Sequence, residues 1–179
     1  MTHETAKKAA AEKAAFLIHS GMTVGLGTGS TARYFIESLA KRVQNEKLSI
    51  QCTATSQQTE HLAHSLGLPL VSIDAIEHID IDVDGADQID EAKNMIKGGG
   101  GALLREKVIA HASREMIVLI DSSKQVKQLG GIPLPIEIIP FGCQLTILCL
   151  KKMGMQGLLR KNGEALFVTD NGNYIFDID

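Results

Sequence analysis

Residues 80–107 read DIDVDGADQIDEAKNMIKGGGGALLREK, and the rest of the chain is best understood outward from them. Apolar and acidic residues alternate from Ile79 to Asp84, which is the period of a β-strand. Asp80, Asp82 and Asp84 are therefore predicted to share one face of that strand. Carboxylates crowded in this way repel one another and need cations, water or raised pKa values. The stretch predicts a strand whose acidic face leads into a polar site.

The second half of the stretch places Lys97 before four glycines and a predicted helix over residues 102–112 that carries Glu106. Glycines let the backbone turn its N–H groups inward at a helix N-terminus, which suits an anion. Glu106 lies about one turn inside the helix, so its side chain leans back toward the glycines. Each feature alone has an ordinary explanation, such as a solvated face or a flexible loop. Together they indicate a site for proton transfer.

A second glycine-rich turn, GLGTGST, occupies residues 25–31 between a predicted strand (22–26) and a predicted helix (32–43). Such a turn is either an anion cradle or an ordinary capped turn. Ser30 stands where a dinucleotide fingerprint has its third glycine, and no acid ends the next predicted strand, 49–54. No lysine follows Gly29, so the nucleoside triphosphate pattern fails as well. A phosphate monoester fits better than either nucleotide.

The order of the predicted elements indicates an α/β protein. Strands alternate with helices over residues 1–130, and the apolar run Met116–Ile120 has the composition of a buried parallel strand. Ligands of such sheets bind beyond the carboxyl ends of the strands. Four segments follow predicted strands and are expected to converge there: 27–31, 55–59, 84–101 and 121–124. Glycines and prolines near residue 130 predict a boundary to a smaller α+β domain over 131–179.

Composition excludes several classes of protein. The chain has 179 residues, 44% of them hydrophobic, and a net charge of −3, which argues against general nucleic-acid binding. Cys52, Cys143 and Cys149 form no C-x-x-C pair, so reduced thiols in the cytoplasm are expected, with no zinc site. No apolar run approaches transmembrane length, and the N-terminus lacks the apolar core of a signal peptide, so no membrane association is expected.

The motifs, taken in order, resemble those of the type A ribose-5-phosphate isomerases, and the likeness covers essentially the whole chain. The segments that carry it are Gly25–Thr31, Asp82–Asp87, Lys97–Gly100, Arg105–Lys107, Asp121–Lys124, Pro133–Pro140 and Thr169–Asn173. The resemblance implies a Rossmann-like parallel sheet with helices on both faces. It also implies a cofactor-free aldose–ketose isomerase that interconverts D-ribose 5-phosphate and D-ribulose 5-phosphate in the non-oxidative pentose phosphate pathway. We expect a homodimer with this small sugar phosphate as its ligand.

The resemblance also implies roles for individual residues. Glu106 matches the base that moves a proton between carbons 2 and 1 through an enediolate. Asp84 and Asp87 match acids that assist ring opening and handle hydroxyl protons, and Lys97 matches the group that steadies the oxyanion. The other implied substrate contacts are Lys7, Thr28, Gly29, Ser30, Thr31, Gly85, Ala86, Gly98, Gly99, Gly100 and Lys124.

Two departures from the family pattern stand out. Gly101 replaces an alanine that is common in the family, a change expected to be harmless. The sequence ends at Asp179, where family members continue through a further helix and strands. A chain that ended there is expected to be less stable than one with those elements, because apolar surface would be exposed.

Two other functions remain open at this point. Residues 80–91 satisfy the EF-hand pattern, with acids at positions 1, 3 and 5, Gly85 at 6 and Glu91 at 12, so a calcium-binding module is an alternative. The strand-like alternation before this segment argues against it. The second alternative is a non-catalytic sugar-phosphate sensor, against which the complete set of acids, base and lysine argues.

Overall fold

The computed structural model describes residues 3–179. The described residues form five α-helices: α1 (His3–Phe16), α2 (Ser30–Glu46), α3 (Gln57–Ser65), α4 (Leu103–Ala112) and α5 (Cys143–Lys152). The first helix ends at Phe16 in a turn. None of the helices within residues 3–179 combines the length and the apolar character needed to cross a bilayer.

Eleven strands are formed by the same part of the chain. They are β1 (Thr23–Leu26), β2 (Gln51–Ala54), β3 (Ile79–Gly85), β4 (Gln88–Ile89), β5 (Met95–Ile96), β6 (Ser113–Leu119), β7 (Leu134–Ile138), β8 (Gly157–Leu159), β9 (Lys161–Asn162), β10 (Ala165–Leu166) and β11 (Tyr174–Ile178). Short 3₁₀ turns lie at Ile73–Ala75 and Ser122–Lys124. Leu70 belongs to none of these strands and forms an isolated bridge with Cys52.

The main sheet has the strand order β2-β1-β3-β6, and all of its pairs are parallel. Ile81 and Val83 of β3 pack into an apolar core with α1 and α2. The alternate residues of β3, Asp82 and Asp84, face α4 on the other side of the sheet. Helices therefore cover both faces, and the predicted Rossmann-like fold is confirmed. Because every strand runs the same way, their carboxyl ends meet at one edge.

Strand β6 departs from expectation in its burial. The apolar run Met116–Ile120 was predicted to be a buried strand, yet residues 114 and 115 are exposed and Met116, Ile117 and Val118 are only half-buried. The reason is its place in the strand order, since β6 lies at one end of the four strands and, within residues 3–179, pairs only with β3. A continuous apolar run does not distinguish an edge strand from a central one.

A smaller antiparallel sheet follows, with the order β7-β11-β8. One face of it packs with α5 around a second apolar cluster of Ile138, Ile147, Phe176 and Ile178. Two short hairpins, β4-β5 and β9-β10, complete the described strands. The separate cluster accords with a second domain, and its boundary at residues 130 and 131 stays a prediction.

Candidate active site

A cleft opens at the carboxyl edge of the main sheet and brings both glycine-rich turns together. Its lining residues are Thr28, Ser30, Thr31, Gly85, Ala86, Asp87, Lys97, Gly98, Gly99, Gly100, Glu106 and Lys124. All of them were singled out from the sequence. Asp84, Gly29 and Lys7, the other residues singled out, lie directly beside this lining.

Three charged side chains meet at the floor of the cleft. Lys97 Nζ lies 3.0 Å from Asp84 Oδ2 and 3.3 Å from Glu106 Oε2, and it also donates to Gly85 O. The side chains of Asp84 and Glu106 are only 1% and 7% exposed. Strand β3 supplies the aspartate, the end of β5 supplies the lysine and the first turn of α4 supplies the glutamate. One cation thus stands between two buried carboxylates.

This arrangement changes the proton affinity of both Glu106 and Lys97. Burial raises the pKa of Glu106 to about 7, and the negative charge of Asp84 adds to the rise while Lys97 opposes it. Burial by itself lowers the pKa of Lys97, but the charges of Asp84 and Glu106 outweigh it and leave the pKa raised. At neutral pH the lysine is therefore charged, and the glutamate is poised to take up or release a proton.

Asp84 is held in place by the backbone of the first glycine turn. Its Oδ1 accepts hydrogen bonds from Thr28 N at 3.0 Å and from Gly85 N at 2.7 Å. A Cβ atom at Gly27 would lie 2.5 Å from Asp84 Cα, so a side chain at that position would displace the aspartate. Gly27 is therefore needed for close approach of β1 and β3, a role that the sequence motif contained but that we had not assigned.

The second glycine turn is shaped by Asp87. Asp87 Oδ2 accepts a hydrogen bond from Gly99 N at 2.7 Å, and Asp87 N donates to Ile96 O at 2.8 Å. Gly98 and Gly101 have φ values of 100° and 85°, a region that favours glycine. Of the N–H groups of the turn, that of Gly99 donates to Asp87, and that of Gly101 donates to Gly98 O at 3.0 Å, which closes the turn.

The first glycine turn is supported from behind by a group of hydroxyls. Thr28 Oγ1 lies 2.7 Å from Thr55 Oγ1 and 2.8 Å from Ser56 Oγ, and Thr59 Oγ1 donates to Gly27 O. Segment 55–59 therefore lies behind the turn, as its position after β2 predicted. The hydroxyl of Thr28 faces this support, while Thr28, Ser30 and Thr31 all line the cleft. The hydroxyl-rich sequence TSQQT was the available signal for this support.

Two lysines stand at the outer end of the cleft. Lys7 Nζ lies 3.5 Å from Ser30 Oγ and 3.6 Å from Asp121 Oδ2. Lys124 Nζ donates to Ala86 O at 2.6 Å. Positive charge therefore stands beside the 29–31 turn, which is where the predicted anion cradle lies. Asp121, buried under this end, was not among the predicted site residues.

The calcium-loop alternative fails on backbone conformation. Asp80, Asp82 and Asp84 lie along β3, whereas an EF-hand would place them in a loop around one ion. Asp80 binds Thr23 N at 2.8 Å and Arg114 Nη1 at 3.2 Å, far from the partners of Asp84. Within residues 3–179 no group of three or more acidic, histidine or cysteine side chains is arranged to hold a metal ion.

Comparison with known proteins agrees with this geometry. A family model described as ribose 5-phosphate isomerase A (phosphoriboisomerase A) matches residues 51–179. The ribose-5-phosphate isomerase A of Cereibacter sphaeroides is 47% identical, over 98% of this chain and 73% of its own length. That of Chlamydia felis is 49% identical, over 96% of this chain and 74% of its own length. The chain belongs to the ribose 5-phosphate isomerase A family.

Solved structures of the family superimpose closely on this one. The enzyme from Methanocaldococcus jannaschii has a TM-score of 0.94 and 38% identity, covering 99% of this chain and 80% of its own. A D-ribose-5-phosphate isomerase in complex with phospho-erythronic acid has a TM-score of 0.93 and 40% identity over the same shares. The chain is thus an aldose–ketose isomerase that interconverts D-ribose 5-phosphate and D-ribulose 5-phosphate, as its resemblance to the family implied.

Proposed function

We propose that Glu106 is the base that moves a proton between carbons 2 and 1 of the ring-opened sugar phosphate. The observation that carries this proposal is the burial of Glu106 beside Lys97, with its pKa raised to about 7 and its side chain lining the cleft. A general base works best when its pKa lies near the operating pH. Among the acids of the cleft, Glu106 combines this proton affinity with access to a ligand.

The proposed proton movements balance without any other reactant. Glu106 removes the proton on carbon 2 of the aldose, and the electrons move to the carbonyl oxygen on carbon 1 to give an enediolate. The hydroxyl proton on oxygen 2 passes to oxygen 1, and Glu106 returns its proton to carbon 1 to give the ketose. No electrons leave the substrate, so we propose that neither cofactor nor metal is needed and that activity survives EDTA.

The negative charge of the enediolate needs donors already in place. Lys97 meets this need, since its bonds to Asp84 and Gly85 O hold the ammonium at the floor of the cleft. The carboxylate of Asp84 accepts hydrogen bonds from three donors. We therefore propose that it positions Lys97 and the backbone N–H of Thr28 and does not itself transfer protons. Asp87, at the glycine turn, is the better placed of the two acids to handle hydroxyl protons and ring opening.

The phosphate end of the substrate is proposed to lie on the 29–31 turn. Helix α2 begins at Ser30, so the N–H groups of its first turn are available to an anion. Lys7 and Lys124 add positive charge on either side. A relative solved in complex with phospho-erythronic acid supports a phosphorylated sugar-like ligand for this family.

Location and assembly complete the proposal. We propose that the protein works in the cytoplasm as a homodimer. The cytoplasmic location is supported by the membership of the chain in a family of metabolic isomerases and by the free thiols of Cys52, Cys143 and Cys149. Native mass spectrometry of the purified protein tests the homodimer, and a monomer at assay concentration would contradict it.

The variant Glu106→Gln tests the catalytic proposal. The amide keeps the shape of the side chain but cannot take the proton, so turnover of ribose 5-phosphate should fall ~10²–10⁴-fold. Exchange of the carbon-2 proton with solvent deuterium should fall in parallel, since the same carboxylate removes it. Ribose 5-phosphate should still raise the melting temperature of the variant, because the 29–31 turn is unchanged.

Glu91→Gln is the matched control, since Glu91 is an exposed acid outside the cleft and its loss should leave turnover unchanged. Parental turnover in Glu106→Gln would remove this residue from the mechanism. Stabilisation by ribose 5-phosphate without turnover in the unmodified protein would instead support the sensor alternative.

A further inference from the structure

Arg160, a residue of the segment that forms the small sheet, holds the 98–100 glycine turn by hydrogen bonds. This residue lies between β8 and β9, about sixty residues further along the chain. Its Nη1 donates to Gly98 O at 3.1 Å and to Gly99 O at 3.0 Å. The side chain is 17% exposed and none of the proposed chemical steps uses it.

The opposite edge of the same guanidinium is fixed by Asp177 of β11. Arg160 Nε donates to Asp177 Oδ2 at 2.8 Å and Nη2 donates to Oδ1 at 2.6 Å. This two-point contact sets the plane of the guanidinium as well as its position. Phe167 lies beside it, 5.8 Å from the ring centroid to Arg160 Cζ, and packs against Gly101. Asp177 and Phe167 thus hold the guanidinium of Arg160 in place on the side away from the cleft.

The two gripped carbonyls determine where two N–H groups point. In a trans peptide the C=O and the following N–H point in opposite directions. With Gly98 O turned toward Arg160, Gly99 N–H points the other way, and it donates to Asp87 Oδ2 at 2.7 Å. With Gly99 O turned toward Arg160 as well, Gly100 N–H points away from Arg160, and Gly100 itself lines the cleft.

Glycine makes this grip necessary. Gly98, Gly99 and Gly100 have no Cβ to restrict their peptide planes. The 98–99 plane is also held by Gly101 N, which donates to Gly98 O at 3.0 Å, and by Asp87, whereas the side-chain hydrogen bond recorded for the 99–100 plane is that of Arg160 to Gly99 O. A rotation would withdraw an N–H donor from the oxyanion and release Asp87. Arg160 Nη1 binds both carbonyls at once and opposes such a rotation, and Asp177 keeps it there by binding Nε and Nη2. A lysine ammonium cannot be held by a carboxylate in this planar, two-point way.

We propose that Arg160 is a positioning residue for the reaction: it holds the 98–100 peptide planes so that Gly100 N–H faces the enediolate and Asp87 stays oriented. This inference rests on the proposed function of the cleft. Arg160 does not line the cleft, and its recorded hydrogen bonds go to Asp177, Gly98 and Gly99 and not to Glu106. Its contribution therefore belongs to transition-state stabilisation and not to binding of the phosphate end, which is held by other residues.

The test compares steady-state kinetics of Arg160→Ala and Arg160→Lys with the parent enzyme. Misplacing a catalytic donor by about 1 Å costs on the order of 100-fold. We expect kcat of Arg160→Ala to fall by about that factor while KM for ribose 5-phosphate changes by less than about threefold. The kcat of Arg160→Lys should lie between those of the parent and Arg160→Ala, because one ammonium reaches the carbonyls without fixing both peptide planes. Arg114→Ala is the control, an exposed arginine outside the cleft.

Chemical rescue separates positioning from general stability. Added guanidinium ion, at concentrations that leave the melting temperature unchanged, should restore part of the kcat of Arg160→Ala and leave Glu106→Gln inactive. The proposal would be overturned if Arg160→Ala kept the parental kcat or changed only in KM. It would also be overturned if its kcat fell and guanidinium did not restore any of it. If Arg160→Ala does not fold, the kcat of Arg160→Lys decides, and a parental value overturns it. Failure of the base assignment shows separately, as parental turnover in Glu106→Gln.

Discussion

Asp82 offers a quantitative test of how burial shapes this site. It is fully buried on β3, and within the described residues its carboxylate has no hydrogen-bond partner apart from the backbone of Val83, which has the smallest effect on its pKa. Burial raises its pKa from the ordinary 3.8 to about 7, the charges of Asp84 and Glu106 add to the rise, and Lys97 opposes it. In the folded protein this carboxyl is therefore protonated over a pH range in which the unfolded chain has it ionised.

The sign of the effect on stability follows from proton binding. Between pH 3.8 and about 7 the folded state holds one more proton at Asp82 than the unfolded state, so raising the pH favours unfolding. Each pH unit costs ~1.4 kcal/mol, which sums to ~4 kcal/mol once the pH passes the folded pKa. That is a large share of the ~5–15 kcal/mol that typically holds a domain together.

The substitution Asp82→Asn removes this cost, because the amide matches the protonated acid in shape and stays neutral at every pH. The variant should exceed the parent in free energy of unfolding by ~2 kcal/mol at pH 5 and by ~4 kcal/mol at pH 8. Urea unfolding at both pH values, followed by circular dichroism, measures the difference.

Asp80→Asn is the matched control from the same face of β3. Asp80 is bonded to Thr23 N and Arg114, so its substitution should lower stability at both pH values. If the stabilities of Asp82→Asn and the parent differ by the same amount at pH 5 and pH 8, Asp82 is ionised in the folded protein. The reasoning from its burial would then be refuted.

Three further outcomes are expected. The value of kcat/KM should rise about tenfold per pH unit up to about pH 7 and then level off, because Glu106 must be ionised to accept a proton. A pH profile that levels off near 4.5, the ordinary pKa of a glutamate, would contradict the raised pKa of Glu106. Gly27→Ala should cost ~1–3 kcal/mol or more in urea unfolding and abolish turnover, because its Cβ would lie 2.5 Å from Asp84 Cα; parental activity would show that β1 and β3 can separate harmlessly. Lys124→Ala should raise KM for ribose 5-phosphate about tenfold with little change in kcat, whereas the exposed Lys127→Ala should change neither; equal KM values would place the phosphate elsewhere.

Local patterns in the sequence were sufficient to place most of the residues of the cleft. The alternation along β3 correctly placed Asp84 on the face opposite the apolar residues, and the glycine run placed the 98–100 turn before α4 with Glu106 in its first turn. These features depend on periods and turn residues within short segments, which the chain determines without help from distant parts. The parallel strand order then brought both glycine turns to one edge, as the alternation of strands and helices predicted.

The chemistry of each group depended on tertiary packing. Asp80 and Asp82 stand two residues apart on the same face, yet one is bonded to Arg114 and the other is sealed under α4 beside Gly25. Arg160 and Asp177 reach the 98–100 turn from far along the chain, and no local pattern links them to it. A period in the sequence determines which way a side chain points, whereas the segments that cover it determine its partners, its dielectric surroundings and its pKa.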